Sequence, residues 1–296
     1  MLWRCRDRTF DLTSRTLVMG IVNATPDSFS DGGRYLEPAA AVARAREMLA
    51  EGADLIDLGG ESTRPGSRPV PAEEQWRRLG PVFERLRREA PDACLSVDTS
   101  SAEVASRALE AGCQVVNDVT AMGDPAMPAL VARSGAGVVL MHMQGNPATM
   151  QDAPRYGDVL RDVGAFLEAR RTAARAAGIA DEAIAFDPGV GFGKAVTHSI
   201  TLLANLERLA AAGRPLLIGV SRKSFIGRVL TDPVRAMGAE GGKVDMGSIE
   251  GRLEGTLAAT GVAVLLGARI VRTHDVPATR RAVVLAEVMR GVRRAD

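Results

Sequence analysis

Eight short runs of apolar, β-prone residues recur along this chain, and most of them end in a polar or charged side chain. They are Leu17–Asn23, Asp54–Gly59, Cys94–Asp98, Gln114–Val119, Gly137–His142, Ala183–Asp187, Pro215–Val220 and Arg269–Thr273. Amphipathic helical stretches fill most of the gaps. Strands alternating with helices eight times over predict an α/β protein, a (β/α)8 TIM barrel with its active site at the C-terminal ends of the strands.

The helical stretches carry boundary signals. One opens at Pro38 and closes at Gly52, with Val42, Ala45, Met48 and Leu49 on one face. Ser100 and Glu103 have the spacing of a capping box before a helix ended by Gly112. A third spans about 157–178, and a fourth carries Ile200, Leu203, Leu206 and Leu209. The apolar stretch Thr256–Ala268 is too short and too interrupted by glycine to span a bilayer, and reads as a buried helix.

Length alone, 296 residues, would permit two domains. No linker or repeat divides the chain, so a single barrel domain over 1–296 is predicted. It has a short N-terminal extension at 1–16 and a glycine-rich excursion at about 231–251. Lys plus Arg number 37 against 36 Asp plus Glu, which argues against a broad nucleic-acid surface. Cys5, Cys94 and Cys113 lie far apart, which excludes a CxxC metal knuckle, and Cys94 and Cys113 read as buried small hydrophobes. With no apolar leader read at the N-terminus, a cytoplasmic protein is expected.

Reading only the strand ends and the positions just beyond gives Asn23, Asp57, Glu61, Asp98, Asn117, His142, Asp187, Lys223, Arg272 and His274. So many polar groups at one end of apolar strands are costly to bury without partners, and they mark a site. Asp98, Asn117 and Asp187 suit the donor edge of a flat nitrogen heterocycle. Arg64, Lys223, Arg272 and His274 suit an anion. Ser221 to Ser224 begins a helix whose N–H groups favour negative charge. Asn23 offers a hard oxygen to a Mg²⁺ held mainly by phosphate. The set predicts a polar heterocycle carrying a phosphate-type leaving group.

Plainer roles compete at several positions. Asp98 could cap a helix, Asn117 and Asp187 could shape loops, and Asn23 could serve a turn before Pro26. His142, between Met141 and Met143, reads as a hydrogen-bonded core histidine, and His198 as structural. Asp57 is either a structural carboxylate or an orienter of Thr63 or Arg64, and Glu61 is similar. Three residues separate Gly189 from Gly193, so GVGFGK lacks the Walker spacing.

Eight motifs at these strand ends resemble one known family, the dihydropteroate synthases, which are pterin-binding barrels. They are GIVNATPDSFSDGG (20–33), LIDLGGESTRPG (55–66), LSVDTS (95–100), VVNDV (115–119), LMHMQGNPATMQ (140–151), DPGVGFGK (187–194), GVSRKSFIG (219–227) and VRTHDV (271–276). The resemblance spans about residues 17–290. It implies a transferase of folate synthesis that joins 4-aminobenzoate to 6-hydroxymethyl-7,8-dihydropterin diphosphate. Diphosphate leaves first, in an SN1-like step.

The same resemblance implies Mg²⁺, a homodimer and sulfonamides as competitive inhibitors. It assigns Asp98, Asn117, Asp187, Lys223 and Arg272 to the pterin, the first four as catalytic. Asn23, Thr63, Arg64, Arg272 and His274 go to the diphosphate, with Asn23 near the metal. Thr63, Arg64, Pro65, Phe192, Lys223 and Ser224 go to 4-aminobenzoate. Asp27 and Asp31 are helpers in a first mobile loop, 25–33. Val262, Leu265, Val284 and Val288 are apolar outer residues of the last helices that would permit a dimer. A folate-dependent methyltransferase barrel would also bind a pterin with strand-end Asp and Asn, but SRKS together with RTHD suits diphosphate. A non-catalytic binding homologue is the third possibility.

Overall fold

Each of the eight runs forms a strand, and the strands close into a parallel barrel. In this computed structural model residues 1–24, 38–62, 66–231 and 250–293 are described. The barrel strands are β3 (Leu17–Asn23), β4 (Leu55–Gly59), β5 (Cys94–Asp98), β6 (Val115–Asp118), β7 (Gly137–Met141), β8 (Ile184–Asp187), β9 (Leu216–Ile218) and β10 (Ala268–Thr273), with β10 pairing β3 to close the ring. The helices packed around it are α1 (Pro38–Ala50), α2 (Ala72–Glu89), α3 (Ala102–Glu110), α4 (Met127–Ser134), α5 (Val159–Ala176), α6 (Val196–Ala204), α7 (Leu206–Ala210), α8 (Ser224–Thr231), α9 (Leu253–Leu265) and α10 (Val276–Arg293). No helix among the described residues is long and apolar enough to cross a membrane.

Strand side chains alternate in direction, so one residue parity faces the helices and the other faces the barrel interior. Val18, Val22, Ile56, Leu58, Leu95, Val97, Val138, Leu140, Ile184 and Phe186 join the large core between strands and helices. The other parity, Leu17, Met19, Leu55, Cys94, Val115, Val139, Ala185, Leu217 and Ile270, forms a second, smaller core inside the ring. Two or four residues further along the same parity come the polar strand ends.

The N-terminal segment corrects the expected extension. It is an antiparallel hairpin, β1 (Leu2–Cys5) and β2 (Arg8–Asp11), which covers the N-terminal mouth of the barrel. Trp3, Cys5 and Leu12 are fully buried in the interior core, and Trp3 Nε1 donates to the Ala183 carbonyl at 3.0 Å. Its turn uses Arg6 at φ 58 in place of glycine or asparagine, so the usual turn signal is missing.

Other local expectations shift. Ser101, not Ser100, caps α3, its hydroxyl accepting from Val104 N–H at 3.4 Å, while Glu103 pairs with Arg107. The fourth helical stretch breaks at Asn205 into α6 and α7. α8 starts at Ser224, after a turn in which Arg222 sits at φ 58. The 231–251 excursion lies, for 232–249, outside the described residues.

Truncating Trp3 to alanine removes the bulk of the plug and its hydrogen bond. Trp3→Ala should cost about 3–5 kcal/mol in urea unfolding. A loss under about 1 kcal/mol would show that the hairpin is not part of the barrel's core.

Candidate active site

Strand register sets the site. Asn23 pairs with Gly59, Gly59 with Asp98, and Asp98 with Asn117, so these four strand ends form one continuous row. A Cβ on Gly59 would lie 3.1 Å from Asn23 Oδ1 and 3.7 Å from Asp98 Cβ, so the two polar side chains flank a position that must stay small. Met141 pairs with Asp187 on the adjacent strands β7 and β8. Arg272 shares the interior parity of Ile270 on β10, and its stem passes Gly219.

One layer below Asp98 sits Asp57, fully buried. It accepts from Ser96 Oγ at 2.6 Å, Asn117 Nδ2 at 3.0 Å and Arg272 Nε at 2.6 Å. Asp57 therefore orients Asn117 and Arg272. Thr63 and Arg64, the partners considered from sequence, lie outside the described residues, as do Pro65, Asp27 and Asp31. With its Nδ2 committed, Asn117 has its carbonyl left to meet a ligand N–H. Ser96 escaped notice, although a serine within a buried apolar strand at the parity of Asp98 was a readable signal.

Arg272 Nη2 donates to Asp98 Oδ2 at 2.7 Å, so one guanidinium bridges two buried carboxylates. The other Asp98 oxygen, Oδ1, is buried and meets no hydrogen-bond donor among the described residues. Burial, opposed by Arg272 and reinforced by Asp57, pushes the Asp98 carboxyl up to about 7. Two carboxylates share one cation, so a net negative charge is left in a dry place. A buried acceptor without a donor costs about 1–3 kcal/mol, which a ligand N–H would recover.

Across the ring Asp187 Oδ1 accepts from Gly189 N–H at 2.7 Å, and burial raises its pKa despite nearby Lys223. Lys223 Nζ donates to the Val190 carbonyl and lies 4.4 Å from the centre of the Phe192 ring. Burial lowers Lys223 to about 8. His274 Nδ1 lies 3.0 Å from Ser221 Oγ, and Arg222 pairs with Asp275, joining the turn before α8 to the end of β10. Ser224 is exposed at the first turn of α8.

Three residues prove structural. His142 is buried with Nδ1 2.9 Å from Lys194 Nζ, as a core histidine should be. His198 Nδ1 accepts from Ala195 N–H at the start of α6. Glu61 accepts from Val70 N–H at 2.7 Å and Gln75 at 3.3 Å, shaping the loop after β4. All three cysteines are free and buried.

Asp57→Asn keeps the shape but removes the charge that Arg272 Nε requires. It should cost about 3 kcal/mol in urea unfolding, because it strands part of a buried cation. An unchanged unfolding midpoint would refute this role.

A family profile described as pterin binding enzyme matches residues 19–274. Dihydropteroate synthase from Synechocystis is 42% identical over 281 residues, covering 95% of this chain and 92% of the relative. Among solved structures, the Yersinia pestis dihydropteroate synthase with a sulfonamide drug superposes with TM-score 0.88 at 41% identity, covering 98% of this chain and 100% of that one. The Xanthomonas albilineans enzyme in complex with 7,8-dihydropteroate gives TM-score 0.81 at 40% identity, covering 98% of each chain. The family match over most of the chain, the shared barrel and 40–42% identity along nearly its whole length place this chain in the pterin binding enzyme family, among the dihydropteroate synthases.

Proposed function

We propose that this chain joins 4-aminobenzoate to 6-hydroxymethyl-7,8-dihydropterin diphosphate, giving 7,8-dihydropteroate and diphosphate. The observation that carries this reading is Asp98 Oδ1, buried with no donor among the described residues, on the strand end paired with Asn117. A pterin presents amino and ring N–H groups along one edge, and these acceptors with Asp187 take that edge. Arg272, fixed by Asp57 and Asp98, offers a flat plate to the ring face.

The C–O bond to diphosphate breaks first, the electron pair leaving with the diphosphate. The carboxylates of Asp98 and Asp187 are fixed in advance around the cationic pterin methylene. The arylamine nitrogen then attacks and loses a proton to solvent. Asn23, Thr63, Arg64, Arg272 and His274 serve the diphosphate end. Phe192, Lys223 and Ser224, with Thr63, Arg64 and Pro65, serve 4-aminobenzoate, where sulfonamides would compete.

A Mg²⁺ fits the donor set at Asn23. Among the described residues no group of three His, Cys, Asp or Glu side chains forms a protein cage. Asn23 would contribute one oxygen and the diphosphate and water the rest, in the manner usual for this ion. Bound there, it would neutralise charge on the departing diphosphate.

A homodimer fits the outer face of α10 and α9, where Val284, Leu285, Val288, Met289, Val292 and Val262 are exposed. Leu265 does not belong to that face; it is half-buried against the core. Free thiols suit the cytoplasm.

Protein mixed with Mg²⁺, the pterin diphosphate and 4-aminobenzoate should yield dihydropteroate, detected by mass. Asp187→Ala should lower the rate at least about 100-fold, as expected for loss of a preorganised charge, while unfolding stays cooperative. Substrate bound without product would instead identify a binding homologue.

Affinity for the free dihydropterin should be bell-shaped in pH. Below about 7 Asp98 gains a proton, so one of its oxygens becomes a donor and no longer suits a ligand N–H; above about 8 Lys223 loses one and donates less. Calorimetry on Asp98→Asn should lack the acid limb; a wild-type affinity flat from pH 6 to 8 would contradict these assignments.

A further inference from the structure

The turn that follows β8 is held more tightly than the chemistry assigned so far requires. Gly189, Gly191 and Gly193 all take positive φ, at 65°, 83° and 57°. A Cβ on Gly189 would lie 1.9 Å from the His142 carbonyl oxygen, and one on Gly193 would lie 2.3 Å from that of Gln144. The turn is therefore pressed backbone to backbone against the segment after β7.

Three side chains then tie it down. Tyr156 OH donates to the Gly193 carbonyl at 2.6 Å, and Gln151 Nε2 donates to that of Gly191 at 2.9 Å. Lys194, only 3% exposed, uses its ammonium on three acceptors. These are the Phe192 carbonyl at 3.0 Å, the His142 carbonyl at 3.2 Å and His142 Nδ1 at 2.9 Å. Burial lowers Lys194 to about 7 and His142 to about 3, so the imidazole is neutral and free to accept at Nδ1. An amine is costly to bury, and one kept here with three acceptors in reach needs a reason.

The far side of the turn supplies one. The Lys223 stem crosses Gly191, where a Cβ would come within 3.2 Å of Lys223 Cδ. Its Nζ donates to the Val190 carbonyl and lies over the Phe192 ring. The shape of the turn thus sets where Phe192 and Lys223 meet.

We propose that Lys194 is a positioning residue for 4-aminobenzoate: with Tyr156 it clamps the 189–194 turn so that Phe192 and Lys223 hold the arylamine in line for attack. The proposal rests on the function proposed above, which assigns Phe192 and Lys223 to that substrate. Lys194 itself reaches no substrate, since all three of its N–H groups are spent on the protein. The row Asn23, Asp98 and Asn117 belongs to other strands, so the clamp reaches the pterin side only through Asp187, whose Oδ1 takes the Gly189 N–H, and through Lys223.

Steady-state kinetics on Lys194→Met, Tyr156→Phe, Phe192→Ala and the Lys194→Met/Phe192→Ala double variant test it. Lys194→Met should raise KM for 4-aminobenzoate about tenfold and Tyr156→Phe about threefold, with KM for the pterin diphosphate rising less than half as much in each. In the Phe192→Ala background Lys194→Met should add less than about twofold, because the two residues act as one unit. Equal rises in both KM values, additive effects in the double variant, or no change in either KM would overturn the clamp. If Lys194→Met fails to fold, the KM split in Tyr156→Phe decides alone. A wild-type protein that makes no dihydropteroate would overturn the functional reading, and the clamp with it; an active wild type without the split overturns the clamp only.

Discussion

Closing eight parallel strands into a ring forces one parity of every strand to share a narrow interior, and the whole site depends on that constraint. At the lower layers the shared residues are apolar: Met19, Leu55, Cys94, Val115, Val139, Ala185, Leu217 and Ile270. At the upper layer the same parity delivers Asn23, Asp98, Asn117, Asp187 and Arg272. A slip of one residue in any strand would send its polar end among the helices and its outer apolar residues into the ring. The fold and the site are therefore specified by the same alternation. The N-terminal hairpin completes it by keeping water from the apolar floor.

Within that interior the decisive interaction is one guanidinium between two carboxylates. Arg272 donates to one oxygen of Asp57 and to one oxygen of Asp98. Asp57 in turn fixes Asn117 and Ser96. The network spends its internal bonds on holding geometry and leaves acceptors at the top, where a planar donor edge would complete them. On the opposite side Lys223 lies between Asp187 and the turn after β8. Cations and carboxylates thus face each other across the ring, arranged in advance of any ligand, and little reorganisation is required when charge develops.

Much of this was legible before any coordinates. The strands fall within a residue or two of the apolar runs, and the strand-end rule picks out Asn23, Asp98, Asn117, Asp187, Lys223, Arg272 and His274. The misses have physical causes. The hairpin hides because its turn uses Arg6 in a left-handed conformation that carries no glycine or asparagine mark. Ser100 and Ser101 are equally good caps in sequence, and only the helix start separates them. The role of Asp57 hides for another reason. Its partners Ser96, Asn117 and Arg272 lie 39, 60 and 215 residues away.

The sequence by itself determined the class of fold, the end of the barrel that carries chemistry and the kinds of side chain gathered there. Those properties are periodic and local, written in runs of a few residues. Tertiary structure alone decided that Arg272 joins Asp57 to Asp98, that one oxygen of Asp98 meets no donor among the described residues, and that Lys194 reaches across to His142. These follow from strand register and from the closing of β10 on β3. Such pairings form only when distant segments are brought within about 3 Å, a separation that no local pattern encodes.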